Sequence, residues 1–398
     1  MTATAIDAGR QPAGQPAYWS GVLAMTLCVF ALIASEFMPV SLLTPMAADL
    51  HVTEGMAGRG IAISGAFAVV TSLSISALAG SLNRKTLLLC LTAAMALSGA
   101  VIALAPDYFT YMVGRALIGV VVGGFWSMSA ATAMRLVPAG QVPRALAIFN
   151  GGNALAAVVA APLGAYLGSV IGWRGAFFCL VPVALVALAW QWISLPSMRV
   201  EPRGPESGNV FRLFRSRVAS LGMLGVGVFF MGQFTLFTYV RPFLETVAGV
   251  DVPAITLVLL VIGVAGFVGT ALIGRALGRG FYATLIAIPL LMAAIAVALI
   301  VFGAWTAGVV VLLGGWGLIS TAAPVGWWAW VPRTFPEHAE AGGGLMVAMI
   351  QLSIALGSTV GGLLFDLSGY QGTFAASAAL LLAAAVLIFM TARSEAGA

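Results

Sequence analysis

Glu36 is the one acidic side chain set well inside an apolar stretch of this 398-residue chain; Asp366, the next in order of depth, falls at the end of its stretch. A carboxyl in such a place must trade its charge for a proton or be held by a partner, so it is a candidate proton-carrying group. Arg115 is the candidate partner. The first stretch runs outward and the fourth inward, so that Glu36 lies about nine residues from the outer end and Arg115 about six, which at about 1.5 Å per residue sets them at similar depth. Two readings stay open: a pair that separates on protonation, or a static buried ion pair that only fixes packing. Pro39, three residues after Glu36, is expected to loosen the helix there. Further polar side chains within apolar stretches are Asn150, Asn153, Gln233 and Gln351. Other chemistries lack their residues. The single lysine, Lys85, follows Arg84 and cannot end a phosphate-binding Gly-Lys-Ser/Thr loop. No serine sits in a Gly-x-Ser-x-Gly elbow, and His51 and His338 fall in loops. Cys28, Cys90 and Cys179 have no ligand-like spacing and read as small hydrophobes packed among helices. No metal, cofactor or enzymatic activity is expected.

The elements that hold these residues follow from composition. Hydrophobic residues make up 61% of the chain and charged ones 8%, against about a quarter charged in a soluble domain, so most of the chain must face lipid or other helices. Stretches of about 20 apolar residues without strict alternation satisfy their backbones as helices rather than barrel strands. Twelve spans are expected, near 18–44, 57–80, 86–104, 109–134, 145–169, 174–194, 218–242, 253–274, 281–302, 305–331, 341–365 and 372–392. The first is too long, and carries Glu36, to be a cleaved signal. Numbering the spans alternately places fourteen of the 18 basic residues on the side of the N-terminus and only Arg59, Arg174 and Arg241 on the other. That bias predicts an inner-membrane protein with both termini cytoplasmic. The arginines are dispersed singly, so the net charge of +5 is a topology signal and no nucleic-acid partner is expected.

The longest polar interruption, 195–217, contains three prolines and five arginines and falls at mid-chain. It divides the sequence into a cytoplasmic tail (1–17), a six-helix half (18–194), the cytoplasmic linker (195–217), a second six-helix half (218–392) and a short cytoplasmic tail (393–398). The end of the linker, Phe211-Arg212-Leu213-Phe214-Arg215, is amphipathic and is expected to lie along the headgroups. A repeat supports the division: Gly172-Trp173-Arg174-Gly175-Ala176-Phe177 recurs as Gly369-Tyr370-Gln371-Gly372-Thr373-Phe374, 197 residues on. Spans 3, 9 and 12 contain no Asp, Glu, Asn, Gln, Lys or Arg, and span 6 only Gln191 near its cytoplasmic end, so every third span should face lipid while the others line a central polar path. The expected fold class is therefore an all-α membrane protein of twelve transmembrane helices in two six-helix halves.

Several segments carry a family resemblance. Arg115-Ala-Leu-Ile-Gly119, Ala161-Pro162-Leu163-Gly164 and Gly172-Trp173-Arg174 resemble the drug:proton antiporter branch of the major facilitator superfamily. The run from Glu36 to Met46, together with Gly123–Ala130, Met134–Pro138, Phe237–Pro242 and Pro324–Trp327, is similar to the family of bacterial purine ribonucleoside efflux pumps. The loop 80–85 departs from the superfamily pattern, with Asn83 where an acid is usual and the following glycine missing. The resemblance implies proton-coupled efflux of purine nucleosides such as inosine and guanosine, with protons as the coupling ion and a monomer in the bilayer. Phe37, Trp126, Tyr239 and Trp327 would then stack on a planar base, and Asn153, Gln233 and Gln351 would bond its edges or the ribose hydroxyls. The aromatics serve equally as packing groups, and Trp305 and Trp330 are assigned to the interfacial belt. Sugar or multidrug export on the same fold is the nearer alternative, and a passive channel or intramembrane enzyme the more distant one.

Overall fold

The computed structural model describes residues 17–79, 82–138, 141–198, 216–335 and 339–396, and every regular element among them is α-helical. The elements are α1 (Trp19–Asp49), α2 (Glu54–Ala79), α3 (Arg84–Ala103), α4 (Tyr108–Arg135), α5 (Val142–Phe178), α6 (Leu180–Ser194), α7 (Arg217–Phe237), α8 (Val240–Thr246), α9 (Val252–Arg279), α10 (Phe281–Phe302), α11 (Thr306–Ser320), α12 (Ala323–Thr334) and α13 (Ala339–Ala396). The 31 residues of α1 extend about 46 Å, enough to cross a hydrocarbon core of about 30 Å with turns to spare. Ten separate segments among the described residues are long and apolar enough to cross a membrane. Two of them run 51 and 54 residues, and each contains one glycine in the left-handed region, Gly172 (φ 76°) or Gly369 (φ 68°). These are the paired positions of the sequence repeat, so both copies turn the chain with the same backbone conformation, which only glycine adopts without strain.

Local chemistry fixes the helix ends. Asp251 accepts from the Ala254 amide at 3.0 Å and precedes Pro253 in the first turn of α9. Asn83 accepts from the amides of Lys85 and Met198, both at 3.0 Å, and donates to Ser197 Oγ at 2.7 Å. The residue that replaces the family's acid thus caps α3 and staples it to the segment after α6. Gly80 and Ser81 of that loop, and linker residues 199–215 with their amphipathic run, lie outside the described residues, as does His338. Spans 7 and 10 of the sequence reading are each broken in two, at Thr238–Tyr239 and at Thr321–Ala322, shortly before Pro242 and Pro324. Proline withholds an N–H and crowds the preceding turn, so the helix restarts.

Bonds between elements sort the two ends of the bundle. At the terminal face, Tyr18 N donates to Leu136 O and Arg84 N to Met198 O, while Tyr282 is bonded to Glu395. At the far face, Arg174 is bonded to Asp49 and to Ala105 O, and Thr306 donates to Ala248 O. Cross-ties between the N- and C-terminal parts of the chain concentrate at the far face. Asp366 of α13 accepts from Thr53 Oγ1 at 2.7 Å and from the Gly55 amide at 3.1 Å, an acid seated on the N-terminus of α2. Arg241 of α8 donates to Ser41 O of α1 and, at 2.8 Å, to Glu245. Helix α2 approaches α13 through glycines: a Cβ on Gly65 would stand 2.7 Å from the Gln351 carbonyl oxygen, and one on Gly55 would strike the Gly362 carbonyl and the Asp366 carboxylate.

Candidate functional site

The centre of the bundle is organised by α1. Pro39 has no N–H to give to Ser35 O four residues earlier, so that carbonyl is left without its helical donor. Arg115 of α4 supplies the missing donor, with Nη1 to Ser35 O at 2.8 Å, Nη2 to Glu36 O at 3.2 Å and Nε to Gly60 O of α2 at 3.0 Å. The guanidinium is fully buried, and its planar fork suits three carbonyls from two helices. The same device recurs six residues on: Pro45 frees Ser41 O, which Arg241 takes from the other part of the chain. Sequence reasoning passed over Arg241 and Asp366 as site residues. The proline-minus-four rule applied to α1 would have flagged Ser35 and Ser41 as acceptors in need of donors.

Arg115 therefore meets the backbone of Glu36 rather than its carboxylate. The carboxylate is 4% exposed and accepts from Gln351 Nε2 of α13 at 3.0 Å. That bond links distant parts of the sequence at the one deep acid. Beside it, Phe37 stacks on Phe234 of α7, with ring centroids 5.8 Å apart and planes at 25°. Next to Phe234, Gln233 holds its Oε1 buried and without a donor among the described residues. Glu36 and Phe37 of α1 thus meet Gln351 of α13 and Phe234 of α7.

The other sequence-predicted residues surround or stand apart from that group. Half-buried Trp126 packs edge-on against Phe149 of α5 at 6.3 Å, and half-buried Asn153 follows Phe149 by one turn. Trp327 is buried against Phe229 and Trp330. Tyr239 lies away from the centre, sealed at the far face: its hydroxyl donates to Ser358 O at 2.8 Å, its ring stacks on Phe365, and it abuts Gly58. Asn150 is helical, but its side chain lies outside the described residues. Trp330 is not a belt residue; it is fully buried, and Nε1 donates to Tyr282 Oη at 3.1 Å, because α12 turns that face toward α10. Trp305 is exposed at the far end of α11, as an interfacial residue is. Of the cysteines, Cys28 is buried near Thr92, whereas Cys90 is exposed on the outer side of α3.

Comparison with known proteins accords with this architecture. Residues 25–343 match the model of the Major Facilitator Superfamily. The chain is 70% identical, over the full length of both chains, to a protein of Pseudomonas aeruginosa named transcription regulatory protein OpdE. It is 39% identical, over 93% of each chain, to the purine ribonucleoside efflux pump NepI of Salmonella paratyphi B. Among solved structures, a bacterial homologue of the human lysosomal transporter Spinster, inward-facing and unoccupied, superposes with a TM-score of 0.70 at 16% identity, covering 96% of this chain and 98% of that one. The human organic anion transporter MFSD10 does so with a TM-score of 0.69 at 17% identity, covering 94% and 100%. A multi-pass helical bundle with its polar residues gathered on α1, α4, α7 and α13, a family match across most of its length and full-length relatives make this chain a member of the major facilitator superfamily of membrane transporters.

Proposed function

We propose that the chain exports purine ribonucleosides in exchange for protons by alternating access. The observation that carries the reading is the Gln351–Glu36 bond, which ties the charge state of the deepest acid to the contact between the two parts of the chain. In this reading the 51- and 54-residue segments each cross twice at Gly172 and Gly369, which gives twelve crossings in two six-helix halves. The terminal face is cytoplasmic, the membrane is the bacterial inner membrane, and the unit is a monomer.

Deprotonated Glu36 holds Gln351 and so favours closure at the centre. A proton on Glu36 removes the charge that strengthens this hydrogen bond, and the halves part. Arg115 keeps the turn that bears Glu36 in place throughout. A purine entering from the terminal face meets Trp126 and Asn153 first, then Phe37 and the free acceptor of Gln233, which suits an amino or hydroxyl donor. Tyr239, at the closed face, joins the path only when that face opens.

The test is uptake of radiolabelled inosine into inverted vesicles with and without an imposed proton gradient. Gradient-dependent accumulation is expected, and accumulation of lipophilic cations with none of inosine would turn the assignment to multidrug export. The regulatory name of the 70% identical relative supports a second reading, in which export of an effector changes transcription indirectly. A Glu36→Gln variant would then copy the transcriptional effect of deleting the gene, whereas a direct regulator would ignore that substitution.

A further inference from the structure

We infer that the outer surface of α9, α10 and α11 holds one anionic phospholipid, with its acyl chain in a groove and its phosphate on Arg279. The groove has a cavity volume of about 570 Å³, and its wall combines small residues (Ala276, Ala283 and Ala287) with an apolar rim that includes Leu272 and Leu318. It ends where α9 and α11 touch, since a Cβ on Gly269 would strike the Leu318 backbone. The one hydroxyl inside, Thr284 Oγ1, is already bonded to Ala276 O at 3.0 Å and Gly280 O at 2.8 Å. The interior therefore offers no unmet polar group, and its occupant is apolar along its length.

The mouth differs in character. Arg279 lines it at the C-terminal end of α9, is exposed, and has no acidic partner among the described residues. Arg275, also exposed, stands one helical turn away. An apolar slot closed at one end by a guanidinium at the membrane boundary is complementary to a molecule with a long hydrocarbon tail and an anionic head. In a bilayer that molecule is an anionic phospholipid, because basic side chains at the interface concentrate such lipids. Zwitterionic lipids fill the slot equally but pay for Arg279 with their own cation nearby.

The experiment is native mass spectrometry of the full chain released from nanodiscs of equal phosphatidylglycerol and phosphatidylcholine. Wild type should retain one phosphatidylglycerol in clear excess over phosphatidylcholine, by about fivefold, as one interfacial arginine supports. Arg279→Gln should bring the ratio close to one, Arg279→Lys should preserve most of it, and Ala287→Phe should reduce retention of both lipids by filling the slot. Arg217→Gln, on another helix, should leave the ratio unchanged. Equal retention of the two lipids by wild type, or undiminished selectivity in Arg279→Gln, overturns the proposal. If Arg279→Gln fails to fold, raising the salt on wild type decides: the excess must fall with ionic strength, and an excess indifferent to salt counts against a charge-held headgroup.

Discussion

At the scale of single residues, Arg115 and Glu36 divide the work differently from an ordinary ion pair. Arg115 satisfies three carbonyls, one of them stranded by Pro39, so its removal leaves buried acceptors without donors at about 1–3 kcal/mol each. Arg115→Met is expected to lower the melting temperature of the purified protein by several degrees and to cut its yield. Arg115→Lys, with a point charge in place of a fork, should recover only part of that loss. Glu36→Gln keeps the shape that Gln351 meets, so its melting temperature should stay near that of wild type. In inverted vesicles the same variant should lose gradient-driven inosine uptake, and substrate-induced proton release read with a pH dye should vanish. Retention of either signal would move the coupling group elsewhere. Sequence reading found both residues and their common depth, but the choice of backbone over carboxylate depends on the three-dimensional position of a proline-freed carbonyl.

Among the elements, the helices were legible where hydropathy alone decides and less so where prolines and glycines do. Helix α1 runs on past Pro45 to Asp49, five residues beyond the sequence boundary at 44, because Arg241 takes the carbonyl that Pro45 strands. Spans 7 and 10 looked continuous because their composition is, yet Pro242 and Pro324 split them. Gly172 and Gly369 were noted for the repeat, and their left-handed backbones are the structural form of that repeat. The far-face ties from Asp366 and Arg241 were invisible, since they join residues hundreds of positions apart. They carry their own expectation: Asp366→Asn removes the anion from the N-terminus of α2 and should weaken closure there. Cysteines placed across that face, at Val52 and Leu367, should then cross-link more slowly than in a wild-type background. An unchanged rate would mean that Asp366 does not hold the face shut.

For the molecule as a whole, the basic-residue bias gives an expectation that does not depend on any side-chain contact. Reporter fusions after Arg144, Arg212 and Ala398 should all register the cytoplasm, and a periplasmic signal at any of them breaks the twelve-crossing arrangement. Between the two parts of the molecule, α2 meets α13 through Gly55 and Gly65, with main chain lying against main chain. A contact of that kind has few interlocked side chains to disengage, so one helix can roll over the other without rotamer changes in a packed layer. The activation enthalpy of the transport cycle would then be set by a handful of polar ties, and the rate of inosine exchange should rise only gently with temperature. A methyl group at Gly65 has to push past the Gln351 carbonyl at every stroke. Gly65→Ala should steepen the Arrhenius slope while leaving the direction of transport untouched, and parallel slopes for the two proteins would show that the glycine seam does not govern the speed of the cycle.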